Sequence, residues 1–212
     1  MSPPSNPFRL AGWRRTVAAQ YAAVRESSID PLAASARFRH DRETLFRRHP
    51  ESPIAEESRG AWRGLDWYPY NLAWRISGTV DRDVARETFE IRLASDGVLR
   101  CTRVGRIHFL ASGERSVLAI YWIEGYGGGL WLPFTDATSG VETYGGGRYL
   151  YDTIKGADLG VMESEIVLDF NYAYNPSCAF DARWSCPLSP AENRLPFAVD
   201  AGERDVRPVL GH

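Results

Sequence analysis

Leu10, Trp13, Val17, Tyr21 and Val24 recur at steps of three and four residues. That period predicts an amphipathic helix over residues 9–26, with Arg14, Arg15 and Arg25 outside its apolar stripe. Asp30-Pro31 reads as an N-cap followed by proline at the first helical position, so a second helix runs from Pro31 to Arg48. It ends at "HPESP", where Pro50 and Pro53 remove backbone donors and restrict the residues before them.

After an aromatic connector, "AWRGLDWYPYNLAW", the period changes to two. Phe89, Ile91 and Leu93 alternate with charged neighbours, and "SDG" at 95–97 signals a tight hairpin into "VLRCTRV". The apolar positions change parity across Gly105, which predicts a bulge or strand break. "ASGER" is a further turn, and "VLAIYWI" at 117–123 is apolar on both parities, as in a central strand buried on both faces. Short strands joined by turns, with helices gathered at one end, predict a mainly β, α+β fold. Its core is an antiparallel sheet or partly closed β-barrel with two N-terminal helices packed outside. One domain over residues 9–204 follows: a helical hairpin at 9–48, a β-rich core at 72–175 and an irregular Pro-rich segment at 176–204. Residues 1–8 read as a disordered tail and 205–212 as a C-terminal tail.

"YGGG" occurs twice, at Tyr126–Gly129 and Tyr144–Gly147. A phosphate loop needs Gly-Lys-Ser/Thr leading into a helix, and a dinucleotide fingerprint needs G-x-G-x-x-G between strand and helix. Leu130 follows one copy and Arg148 the other, with strand-like residues beyond, so neither motif is present. One reading is backbone freedom, the tyrosine covering a bare strand. The other is a ligand against Gly145, Gly146 and Gly147 beside Tyr144, with Arg148 as a fork for a carboxylate or phosphate. Asp136 and Glu142, between the copies, are either turn residues or polar groups of the same site.

If "EIVLDFNYAYN" at 165–175 is one strand, Ile166, Leu168, Phe170, Tyr172 and Tyr174 share a face and Asp169, Asn171 and Asn175 the other. Asp and Asn are poor strand formers, so the row reads either as a solvated face or as oriented groups in a barrel mouth. Beyond it, Cys178 and Cys186 stand eight positions apart in a proline-rich segment. They read as inert buried thiols, as a nucleophile or thiolate ligand, or as a redox pair. No histidine lies close enough in sequence to complete a zinc spacing.

Composition supports a large core: seven Trp, ten Tyr and nine Phe bury much area per residue. Net charge is −2, but residues 1–50 carry nine Arg against four acids and residues 151–212 five bases against ten acids. Two ends that dock, or solvated faces, explain this more simply than a nucleic-acid surface. The first residues lack the apolar core of a secretion signal and no apolar run reaches membrane length. With an odd number of cysteines, a reducing cytoplasmic address is expected, without nucleic-acid or membrane partners.

"PFTDATSGVETYGGGRYLYDTIKGADLG" together with "LDFNYAYNPSCAFDARWSCPLSPAENRLPFAVDAGE" closely resembles the bacterial proteins catalogued as domain of unknown function 1684. "HPESPI" and "GLDWYPYN" resemble that family's opening, and the likeness covers roughly residues 40–204. The resemblance implies membership and no mechanism. Asp136, Gly145–Arg148, Asp169, Asn171, Asn175, Cys178 and Cys186 match motif positions.

The leading functional expectation is a polar pocket for a small, anionic molecule. In it Arg148 binds the anion, Asn171 and Asn175 orient it, and Asp169 is the candidate general base. A second makes Cys178 a nucleophile, or Asp136, Glu142 and Asp169 hard-metal ligands of a hydrolase, although no compact metal motif exists. A third is a structural module whose Trp62–Trp74 connector docks a partner chain. No motif names a cofactor.

Overall fold

The computed structural model describes residues 6–27, 30–93, 97–162 and 164–206. Helix α1 spans Pro7–Glu26, and Asn6 caps it by accepting from the Arg9 amide at 3.1 Å, so it starts two residues before the predicted range of 9–26. Helix α2 spans Pro31–Arg48, as the sequence predicts, with Asp30 Oδ1 accepting from the Leu32 and Ala33 amides. The chain turns extended at His49, ahead of Pro50.

Seven strands follow: β1 Arg75–Asp81, β2 Thr88–Arg92, β3 Val98–Ala111, β4 Glu114–Ile123, β5 Gly129–Phe134, β6 Arg148–Asp152 and β7 Glu165–Asp169. They form one antiparallel sheet in the order β6-β5-β4-β3-β1-β7, with β2 along the first part of β3. The register shifts between Arg103 and Gly105, the predicted bulge, and separates the part of β3 that pairs with β2 from the part that pairs with β1. Both ends of the curled sheet come together where Tyr149 in β6 and Tyr174, just past β7, exchange backbone bonds of 2.9 and 3.1 Å. The result is a half-barrel with two helices, a mainly β member of the α+β class.

Two strand expectations change. Residues 165–175 are not one strand: β7 stops at Asp169, whose side chain accepts from the Asn171 amide and starts a 3-10 turn over Phe170–Tyr172. Short polar side chains that bond the local backbone compete with a ladder, so the expected row of Asp169, Asn171 and Asn175 on one face does not form. In β4, burial on both faces holds for Leu118–Tyr121, whereas Val117 and Trp122 are exposed. Of the "SDG" turn, Ser95 and Asp96 lie outside the described residues; the Leu93 amide bonds the Gly97 carbonyl at 2.8 Å.

The core is aromatic, as composition implies: Phe134 meets Phe170 edge-on at 5.2 Å, and Trp131 meets Tyr149 at 5.5 Å. Helix α2 docks on it through Phe38, edge-on to Tyr172 at 4.9 Å, and through Arg42. The Arg42 guanidinium lies between the rings of Phe46 and Tyr174 and bonds Glu203 Oε1 at 2.6 Å, with both side chains buried. The basic N-terminal part and the acidic C-terminal part therefore do meet, and a second pair, Arg25 with Asp158 at 3.8 Å, lies near the surface. Asp205 and Val206, placed in the tail by sequence, are buried.

Removing one partner from a buried ion pair strands the other charge, which costs about 3–5 kcal/mol. Arg42→Met is expected to lower unfolding free energy by about that amount in urea titration. Arg42→Met with Glu203→Gln is expected to lose less than the two single changes summed.

Candidate functional site

The two glycine stretches bare their backbone in different ways. At Gly128, φ is +41° and an added Cβ would stand 2.5 Å from the Trp122 ring; Tyr126 is fully exposed and covers nothing. At Gly147, φ is +91° and a Cβ would meet the Phe134 carbonyl at 2.7 Å. Tyr144 does lie over Gly146, while Gly145 faces Gly140 at the rim of a hollow of about 380 Å³.

Arg148 is the largest departure from expectation. Its side chain is wholly buried, with Nη2 donating to Asp136 Oδ2 at 2.8 Å and to the Val199 carbonyl at 3.0 Å. Nη1 donates to the carbonyls of Ala201 and Glu203. Asp136 Oδ1 accepts in turn from the Thr138 amide at 2.7 Å and its hydroxyl at 2.5 Å. These two candidate ligand groups thus hold one another and the returning 199–203 segment. Glu142 accepts from the Tyr68 hydroxyl at 3.0 Å, and Asn175 is buried with its amide on Glu203 Oε2 and its Nδ2 on the Arg204 carbonyl. Among the described residues no three His, Cys, Asp or Glu side chains gather to hold a metal, so Asp136, Glu142 and Asp169 do not converge.

Asp169 stands apart from this framework, opposite Arg75 in the β1–β7 register. Asn171 donates to Asp169 Oδ1 through its amide at 3.1 Å and its Nδ2 at 2.8 Å. Asn171 also clasps Asn71 by two 2.9 Å bonds, tying the aromatic connector to the end of β7. The second carboxylate oxygen has looser partners, the Tyr70 hydroxyl at 3.4 Å and Arg75 Nε at 3.6 Å. Burial pushes the Asp169 carboxyl above the usual range, outweighing the Asn171 bonds and Arg75. Burial, with Asp169 beside it, pushes Tyr70 up to about 12, so its phenol keeps the proton that it donates.

Asp169 lines a cleft of about 320 Å³ between the helical hairpin and β1, β7 and the loop before β7. Arg25, Arg75, Ser77, Glu165 and Tyr172 supply further polar lining, and Val24, Leu159, Val161 and Met162 are among its apolar walls. Arg39 of α2 lies within electrostatic reach of Tyr172, Asp169 and Tyr70, stacked 4.9 Å over Trp67. Its Nε and Nη2 are buried without a hydrogen-bond partner among the described residues. Sequence reasoning passed over Arg39, Tyr70, Arg75 and Tyr172. None of these had a spacing signal: Arg75 stands opposite Asp169 only through the β1–β7 register.

Cys178 and Cys186 are neighbours in space, the Cys178 amide donating to Cys186 Sγ at 3.4 Å and the Tyr144 hydroxyl lying 3.7 Å from Cys178 Sγ. The pair shares its proton unequally: the Cys178 thiol is held up by its bond to Cys186 and by burial, while that bond brings Cys186 down to about 6. The Cys178 amide that donates to Cys186 Sγ favours the thiolate on Cys186 over the candidate nucleophile Cys178. In the connector, Trp62 and Trp74 are buried and Trp67 is half-buried, so no run of exposed tryptophans marks a docking face.

The family described as "Protein of unknown function (DUF1684)" matches residues 60–204. The chain belongs to this family. A solution NMR structure of an uncharacterized protein from Haloarcula marismortui is 31% identical and covers 81% of this chain and 92% of its own. Its TM-score is 0.59. No curated protein matches the chain. The DUF1684 match contains Tyr70, Arg75, Asp169, Asn171 and both proline-flanked cysteines, but not α1 or α2. The cleft is thus walled on one side by the DUF1684 sheet and on the other by helices outside the matched segment.

A carboxyl whose pKa is raised by folding binds its proton more tightly in the native state, so stability falls as pH rises through the folded pKa. The DUF1684 chain carries that penalty at Asp169 once the pH is above its raised folded pKa. Asp169→Asn is expected to raise the thermal midpoint at pH 7. The gap should narrow as pH falls toward the unfolded aspartate value of about 3.9, as measured by calorimetry across pH.

Proposed function

We propose that the Asp169 cleft binds a small anionic molecule with an apolar body, its anionic group facing Arg75 and its hydroxyl or amine facing Asp169. The observation that carries this reading is a buried carboxylate, 2% exposed, held at a cleft with one oxygen bonded tightly and the other served only at 3.4 and 3.6 Å. Buried charges that serve only the fold are paired closely, as Arg42 is with Glu203, so an under-satisfied one beside an opening is a group kept for a ligand. The unpartnered Arg39 guanidinium atoms add positive potential behind the same wall. With its raised pKa, Asp169 is a stronger base than an exposed aspartate and suits the role of proton acceptor, and the Tyr70 hydroxyl lies beside it. Three free thiols support a reducing, cytoplasmic address for this binding protein.

Lactate serves as a probe, carrying a carboxylate, a hydroxyl and a methyl group. Amide resonances of Arg75, Asp169 and Tyr172 are expected to shift saturably in NMR titration with lactate at constant ionic strength. Arg75→Gln is expected to weaken that binding about tenfold, the worth of one charge-assisted bond. Shifts confined to other residues, or equal affinity in Arg75→Gln, would refute the assignment.

A further inference from the structure

A second chemistry lies in the proline-rich segment, independent of the cleft. Cys178 sits in a 3-10 turn, Ser177–Ala179, and Cys186 in an irregular stretch; both are half-buried. The contact of the Cys178 amide with Cys186 Sγ at 3.4 Å makes the two residues spatial neighbours, and no strand ladder lies between them. Pro187, next in sequence, is buried and accepts from the Tyr149 hydroxyl, which anchors the Cys186 side to β6. The turn bearing Cys178 is followed by Phe180, which packs edge-on against Phe46 at 5.2 Å. Lys155 is the only lysine in the chain, every other Lys/Arg position being arginine, and its charge acts on Cys186. Cys101 makes the contrast: it is fully buried within the sheet, paired to Phe89 and Ile123, and its thiol is pushed up to about 11.

We infer that Cys186 and Cys178 form a hydroperoxide-reactive pair that closes to a reversible disulfide. The Cys186 thiolate attacks one peroxide oxygen, breaking the O–O bond and releasing hydroxide or alkoxide, which takes a proton from water; Cys186 becomes a sulfenic acid. Cys178 sulfur then attacks that sulfur, and the leaving hydroxide carries off the Cys178 proton as water. Two thiols lose two electrons and two protons, and one peroxide is reduced. Lys155 is a positioning residue that favours the thiolate. The charged and titratable groups facing Cys186 are Cys178, Lys155, Tyr144 and Tyr149, with Asp152 bound to Lys155 at 3.1 Å and Arg14 in electrostatic range of it.

The full-length reduced protein is treated with one equivalent of hydrogen peroxide. The expected product has lost the mass of two hydrogens and keeps one free thiol, at Cys101. Trypsin cuts after Lys155, Arg183 and Arg194, so it should release peptides 156–183 and 184–194 joined by a bond that dithiothreitol cleaves. In Cys178→Ser, dimedone is expected to trap a sulfenic acid at Cys186; in Cys186→Ser, Cys178 should stay reduced. The oxidation rate should fall as pH drops through about 6, fall several-fold in Lys155→Gln and recover in Lys155→Arg. Three thiols surviving the peroxide, a bond between two chains, oxidation at Cys101, or direct passage of Cys186 to sulfinic acid in the wild type would each overturn the inference.

Discussion

The arrangement depends on burying one guanidinium. Arg148 has no exposed side-chain surface and puts its two terminal nitrogens on Asp136 and on three carbonyls of the 199–203 return. Stripping water from an arginine is tolerable only when nearly every donor is re-bonded, and this requirement dictates its surroundings. Gly147 must pass at left-handed φ against the Phe134 carbonyl, leaving no room for a side chain. Thr138 must turn both its amide and hydroxyl to Asp136. The Glu203 carbonyl is taken by Arg148, while its carboxylate takes Arg42 and the Asn175 amide. A continuous line of hydrogen bonds therefore runs from the loop after β5, through β6 and the C-terminal return, to helix α2.

That line explains why the family's long motifs yield so little exposed chemistry. Asp136, Arg148 and Asn175 are consumed in holding segments distant in sequence, and low dielectric makes each bond costly to lose. Asp169 has the same side chain as Asp136 and is equally hidden, yet one of its oxygens meets partners only beyond 3.3 Å. The difference lies in location. Asp136 faces an arginine inside the core, whereas Asp169 ends a strand where the helices leave a cleft.

What the sequence revealed follows the range of the interactions concerned. Asp30-Pro31, the stop before Pro50 and the parity change at Gly105 are local signals, and each appears where it was read. The half-barrel was legible because alternation and turn residues are also local. Asp169 misled because capping a turn and continuing a strand are both local options, and only the clasp of Asn171 on Asn71, a hundred positions away, decides for the turn. Arg148 was placed in a pocket because the partners that satisfy it lie 12 to 55 positions off in sequence. No spacing rule reports such closures. The charge asymmetry between the two ends was legible in sum, but it named neither Arg42 nor Glu203.

The helices add something the sheet alone cannot. A half-barrel leaves the β1–β7 side uncovered, and a carboxylate ending a strand there would be hydrated and ordinary. Packing α1 and α2 through Phe38 and Arg42 brings Val24, Arg25 and Pro31 over that side and produces the desolvation that raises Asp169. Because Arg42 reaches Glu203 and Glu203 reaches Arg148, the closure of the cleft and the integrity of the core are parts of one electrostatic structure. The acid strength of Asp169 is thus set by the seating of a helical hairpin as much as by its own neighbours.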